Sequence, residues 1–269
     1  MLAYSYLCTL MNKLNIDEIR AIAFDADDTL WDCQSHFEEV ENLLYSFIAP
    51  YCTDPKRELY ETESANMEDL GYGCKAFTIS VMETALRVCG NDLSASQLSE
   101  LLEAGKHLLH LPATPLPGVV ETLEKLKSHQ TSPKGEAYLW NPKDSPSFRR
   151  DLGRLFVCFT KGELQDQENK LKRSGLAKYF DHVEITSDKS EKEFCELCEH
   201  LHIAPHELLM VGNSLKSDIA PALAIGAQAV HIPFHVTWQL EHHEDFEHPR
   251  MVKLESISQL PDLLLHDCQ

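Results

Sequence analysis

Five short apolar runs recur along the chain, at residues 20–24, 155–160, 182–186, 208–212 and 228–232. Most are apolar at consecutive rather than alternating positions, the pattern of strands covered on both faces. Each is followed by a stretch with helical periodicity. Strands alternating with helices predict an α/β fold built on a doubly wound parallel sheet. About 130 residues separate the first run from the second, where a simple crossover needs about a dozen. The intervening segments FEEVENLLYSFI, FTISVMETALRVC and SASQLSELLEAGKHLLH are helical in period, and Ser94 with Gln97 forms a capping-box pattern. An inserted all-helical unit over 35–114 is therefore expected, returning through the Pro-rich linker LPATPLPG, with the core at 1–34 and 115–269.

A second insertion, 128–154, has five basic and three acidic residues. It precedes the second strand and so belongs at the amino ends of the strands, away from where such sheets bind ligands. It reads as a surface loop or a subunit contact, in a monomer or homodimer.

Composition narrows the partners. Lys plus Arg is 24 and Asp plus Glu is 43, a formal charge of -19. That argues against nucleic acid or an anionic membrane surface. No apolar run approaches the ~20 residues of a spanning helix, and the first ten residues lack signal-peptide features; Met11 offers a second start. Nine scattered Cys predict reduced thiols in a cytoplasmic setting. Cys195 and Cys198 form a C-x-x-C, but without a second ligand pair they read as thiols on a helix face rather than zinc ligands. The His-rich tail 241–250, with His235 before it, reads as a solvated acidic surface.

Polar residues cluster at the predicted strand ends. FDADDTLW closes the first with Asp25, Asp27 and Asp28; VCFTKG closes the second; VEITSDKSEKEF follows the third; GNSLKSD follows the fourth. These four motifs, in this order, resemble the haloacid dehalogenase superfamily. The resemblance implies a Rossmann-like core with a helical cap, Asp25 as a nucleophile forming an aspartyl-phosphate, Asp27 as general acid–base, and Thr160 and Lys189 holding the transferring oxygens. Lys161 and Gly162 would add amides to that cradle. Mg²⁺ would bind Asp25, Asp27, Asn213 and Asp218, and a shared ion is why carboxylates would cluster. Asn213 stands where the family pattern has an acid, which removes one charge from the ion site. Lys189 is preferred over Lys192 for its position just after the strand. Asp28 and Asp32 read as solvated or capping, and Thr29 as a loop brace. Tyr72 and Lys75, in GYGCKAFT of the helical insertion, are candidates for contacting substrate.

The reaction so implied is Mg²⁺-dependent hydrolysis of a small phosphorylated metabolite, a sugar phosphate or nucleotide. Phosphomutase or haloacid dehalogenase chemistry on the same fold, or a non-catalytic phosphate- or metal-binding module, remain alternatives.

Overall fold

The computed structural model describes residues 14–129 and 153–265. The first ten residues and most of the 128–154 insertion therefore lie outside the described residues. The core is a six-stranded sheet in the order β3-β2-β1-β4-β5-β6, every neighbouring pair parallel. Its strands are β1 (Ala21–Phe24), β2 (Leu155–Lys161), β3 (His182–Thr186), β4 (Leu208–Gly212), β5 (Gln228–His231) and β6 (Met251–Lys253). Of these, β6 is not among the five runs expected from the sequence.

Alternation along each strand builds two cores. Ile22, Phe24, Phe156, Cys158, Leu209 and Val211 face one side and pack with Leu123 and Leu126 of α5 (Val119–Ser128) and Leu263 of α8 (Leu260–Leu265). Ala21, Ala23, Val157, Phe159, Leu208 and Met210 face the other, against Phe194, Leu197 and Leu201 of α7 (Glu191–Leu201). Fully burying a side chain the size of Phe24 contributes about 2–3 kcal/mol, and both faces being covered explains why β1, β2, β4 and β5 read as largely apolar runs.

Between β1 and α5 lie α1 (Gln34–Ile48), α2 (Pro55–Leu70), α3 (Cys74–Cys89) and α4 (Ala95–Leu108). They enclose a core of their own, including Leu44, Ile48, Leu59, Phe77, Val81 and Leu101. The Ser94–Gln97 capping box at the start of α4 is formed: Ser94 accepts from the Gln97 amide at 3.2 Å, and Gln97 accepts from the Ser94 amide at 3.0 Å. Among the described residues no helix is long and apolar enough to cross a membrane.

Candidate active site

β1 lies centrally, so the chain leaving it enters the crevice at the carboxyl ends of β2 and β4, where open parallel sheets bind ligands. The Asp25 amide extends the ladder by donating to Val211 O at 2.9 Å. A tight turn follows, in which Ala26 O accepts from the amides of Thr29, Leu30 and Trp31. Asp28 takes a left-handed conformation (φ 64°), which Asp tolerates better than most residues.

The three carboxylates of this turn point to three different partners. Asp25, 7% exposed, accepts from Lys189 Nζ at 2.5 Å, and the same nitrogen lies 2.7 Å from Asp218 Oδ1. Burial and the nearby Asp218 charge push Asp25 up to about 7, with Lys189 opposing them. Asp27 turns to α6 (Leu164–Ser174): Lys170 Nζ stands 2.8 and 2.7 Å from its two oxygens, Gln167 donates at 2.7 Å, and the Trp31 indole donates at 2.7 Å. Burial pushes Asp27 up, but these donors, Lys170 foremost, outweigh it and hold the carboxyl below its ordinary value. Asp28 accepts from the Cys33 and Gln34 amides at 2.8 and 2.9 Å, fixing the start of α1. Burial raises it to about 7; half-buried, it serves the helix start, the capping side of the expectation. Asp32 accepts from the Ser35 amide at 3.2 Å.

Lys189 is 3% exposed and lies at the site, whereas the Lys192 side chain is 73% exposed and pairs with Glu193 and Glu196. Asp218 reaches the site from a π-helical turn, Leu215–Ile219, and its second oxygen accepts from the Ser214 amide at 2.9 Å. Its carboxylate lies flat on Gly212, where a Cβ would stand 2.3 Å from Asp218 Oδ2; only glycine ends β4 with that approach. Asn213 Oδ1 accepts from the Thr29 hydroxyl at 3.2 Å, tying the first and fourth motifs together. Thr160 is buried and lines the cavity.

Two expectations, those for the Gly162 amide and for Lys75, need correction. The Gly162 amide is not available to an anion, because it donates to Thr186 O at 2.9 Å and continues the β2–β3 ladder. Lys161 holds its ammonium on Ser217 Oγ at 2.7 Å and on Glu241, above the Tyr72 ring at 3.9 Å from its centroid. Lys75 turns outward to Glu163 and is not among the cavity-lining residues. Tyr72 does line the cavity, edge-on to Trp238 at 5.8 Å between ring centroids.

The cavity, about 160 Å³, is floored by the strand ends and roofed by α1, α2, α3 and the loop 236–241. That loop corrects the reading of the acidic tail as wholly solvated. Glu241 accepts from Ser214 at 2.7 Å and from Ser217 at 2.5 Å, besides Lys161. Burial would raise its carboxyl, but Lys161 and the serines hold it below the ordinary value. The remainder of the tail carries no metal grouping among the described residues. In the C-x-x-C, Cys198 is buried and Cys195 is exposed.

Sequence reasoning also missed Gln167, Lys170 and Glu63. For the first two a signal existed. The helix LQDQENKLKRS has little apolar surface, so its inward face had to be largely polar, and Asp166, Gln167 and Lys170 form that face together with Leu171.

A glyceraldehyde 3-phosphate phosphatase of Methanopyrus kandleri is 26% identical over 222 residues, 80% of this chain and 84% of the relative. The mouse (Mus musculus) N-acylneuraminate-9-phosphatase is 31% identical over 78 residues, 27% of this chain and 32% of the relative. The crystal structure of a haloacid dehalogenase-like family hydrolase from Xanthomonas campestris superposes with a TM-score of 0.74 at 26% identity, covering 91% of this chain and 89% of that one. The family model for haloacid dehalogenase-like hydrolases matches residues 19–226. With β1, the ordered strand-end motifs and the helical insertion all inside that span, the chain belongs to the haloacid dehalogenase-like hydrolase family.

Proposed function

We propose that the protein is a Mg²⁺-dependent phosphomonoester hydrolase that acts on a small phosphorylated metabolite through a phosphorylated Asp25. The observation that carries this reading is the Lys189 ammonium shared by Asp25 and Asp218, at 2.5 and 2.7 Å, at the end of the central strand. The names of the phosphatase relatives support it, as does a small cavity enclosed by a helical cap over residues 35–114.

The donor set fits Mg²⁺. That ion keeps several waters and needs only one or two carboxylates. Asp25 and Asp218 bring two negative charges against one ammonium, and Asn213 adds a neutral carbonyl oxygen. The Asp27 carboxylate is occupied by Lys170, so its main-chain carbonyl is what Asp27 has left to offer an ion. When bound, Mg²⁺ would neutralise charge on the transferring phosphoryl oxygens and on Asp25.

Asp25 attacks phosphorus and the ester oxygen leaves with the alcohol, which needs a proton. Water then attacks the aspartyl-phosphate, releasing inorganic phosphate and restoring the carboxylate. Asp27, kept ionised by Lys170, suits the second step, as the base that takes a proton from that water. To protonate the leaving alcohol, Asp27 passes on a proton received from the Lys170 ammonium, and the proton it later takes from water returns to Lys170, so the pair acts as one proton-handling unit. Lys189 and the Thr160 hydroxyl hold the phosphoryl oxygens.

The test is turnover of an aryl phosphate with Mg²⁺. Chelation should abolish it and beryllofluoride with Mg²⁺ should inhibit it. Turnover that survives chelation, or dehalogenation of a 2-haloacid in its place, would overturn the reading.

Asn213→Asp probes the ion site. The added carboxylate keeps the hydrogen bond from Thr29 but stands among Asp25 and Asp218. Expected together are a lower melting temperature without metal, from like-charge repulsion, and a larger upward shift on adding Mg²⁺. Identical midpoints and shifts in parent and variant would mean that position 213 does not hold the ion.

A further inference from the structure

The cavity wall opposite the strand ends is largely apolar, with Phe37, Met67 and Phe77, and carries two acceptors, on Glu63 and Asn66. Glu63, on α2, is 6% exposed and lines the same cavity as Asp25 and Lys189. No ion pair neutralises it among the described residues, and its hydrogen-bond partner there is the Trp238 indole, 3.2 Å from Oε2. Burial raises its carboxyl to about 7, with Trp238 opposing and Glu41 adding repulsion. Next to it on the helix, Asn66 has both amide hydrogens engaged, by Ser80 Oγ at 3.1 Å and Glu83 Oε2 at 2.8 Å. What Asn66 has left to offer is its carbonyl oxygen.

The cations of the cavity are already matched. Lys161 is held by Glu241, Lys170 by Asp27 and Lys189 by Asp25 and Asp218. A second carboxylate or phosphate on the substrate would meet Glu63 with no unpaired cation among the described residues to receive it, and a buried unpaired charge is costly. A hydroxyl or ammonium would instead satisfy acceptors that the protein leaves open.

We infer that Glu63 accepts a hydrogen bond from the leaving group, and that the substrate is a monophosphate whose non-phosphate part carries O–H or N–H donors and no second anionic group. This rests on the phosphomonoester hydrolase reading and adds its substrate class. A polyol or aldose phosphate and an amino-alcohol phosphate share the required chemistry.

The experiment compares kcat/KM, with Mg²⁺, for glycerol 3-phosphate, an aldose 6-phosphate, ethanolamine phosphate, p-nitrophenyl phosphate and phosphoglycolate, in the parent and in Glu63→Leu and Glu63→Gln. The parent should prefer a donor-bearing substrate to phosphoglycolate at least about tenfold. Glu63→Leu should lower the ratio of donor-bearing to p-nitrophenyl phosphate turnover by about tenfold or more, because an acceptor site that loses its partner discriminates strongly. If the donor is a hydroxyl, Glu63→Gln keeps part of that ratio; if it is an ammonium, both variants lose it. Either pattern supports the assignment. A uniform fall across all substrates, as for a residue that only latches α2 to Trp238, would overturn it, and so would a parent that prefers phosphoglycolate. p-Nitrophenyl phosphate turnover by the parent tests the hydrolase reading separately: turnover with unmoved ratios sinks this inference alone, and no turnover on any ester sinks both.

Discussion

An Asp25→Asn protein is expected to lose turnover by a factor on the order of 10³ or more and to melt higher than the parent at pH 8 in chelator. The first effect follows from removing a covalent nucleophile while keeping its shape. The second follows from the electrostatics of the site. Burial and Asp218 raise Asp25 to about 7, against an ordinary 3.8. A carboxyl raised on folding favours the folded state while protonated. That stability is fully present below about pH 4 and is lost as pH rises through about 7. At pH 8 the parent therefore bears the cost of a buried, incompletely matched charge, on the order of 2–4 kcal/mol, which the amide avoids. Lys189 keeps Asp218 as its ion partner and can still donate to the Asn oxygen. Melting curves at pH 5 and pH 8 should show a steep fall for the parent and a shallower one for the variant. Some slope should persist in both, because Asp28 and Glu63 are raised in the same sense. Retention of more than about a hundredth of the parent rate would move the nucleophile elsewhere. A variant less stable than the parent at pH 8 would mean that the Asp25 charge is stabilising.

The parts of this site legible in the sequence are those whose environment is set by the sheet. β4 falls at 208–212, and the strand ends of β1 and β2 carry Asp25 and Thr160, because buried parallel strands are written as apolar runs closed by polar residues; β3 falls at 182–186 although it is only partly buried. The Lys189 position could be read for the same reason, as the first lysine after a strand. What could not be read lies on elements without an apolar signature. β6 is three residues long. The helix that carries Glu63 buries Leu59, Thr62 and Glu63, so its inward face shows no stripe to mark it. Glu241 and Trp238 sit on a loop brought to the site by folding alone. Lys75 reads as an anion contact because it follows a glycine-flanked turn, while Glu163, 88 residues away in sequence, takes it. The Asp27 carboxylate reads as a metal ligand because its spacing from Asp25 is legible, whereas its competing cation, Lys170, lies 143 residues away.

That distant pair gives the largest stability effect expected. Lys170 is 2% exposed and bonds both Asp27 oxygens at 2.7–2.8 Å. It also stands 3.6 Å from Asp166, whose other oxygen is buried without a hydrogen-bond partner. Lys170→Met keeps the length and apolar stem of the side chain and removes the charge. It leaves buried carboxylates with no cation, a loss of about 3–5 kcal/mol, or roughly 10 °C in melting temperature for a chain of this size. The pH dependence should change sign with it. In the parent, Asp27 is held below its ordinary value, so its contribution is present above about pH 4 and lost as pH falls through its lowered folded value. Without Lys170, burial dominates and raises Asp27; its contribution then falls as pH rises. The acid limb of kcat/KM should move to higher pH in step, since Asp27 must be ionised to take a proton from water. Adding Asp27→Asn to Lys170→Met should recover a large part of the lost stability and none of the activity, because the uncompensated charge goes but the base goes with it. That non-additivity is what a double-mutant cycle measures. A single variant that melts within about 3 °C of the parent, with an unmoved acid limb, would mean that Lys170 neither stabilises Asp27 nor sets its protonation.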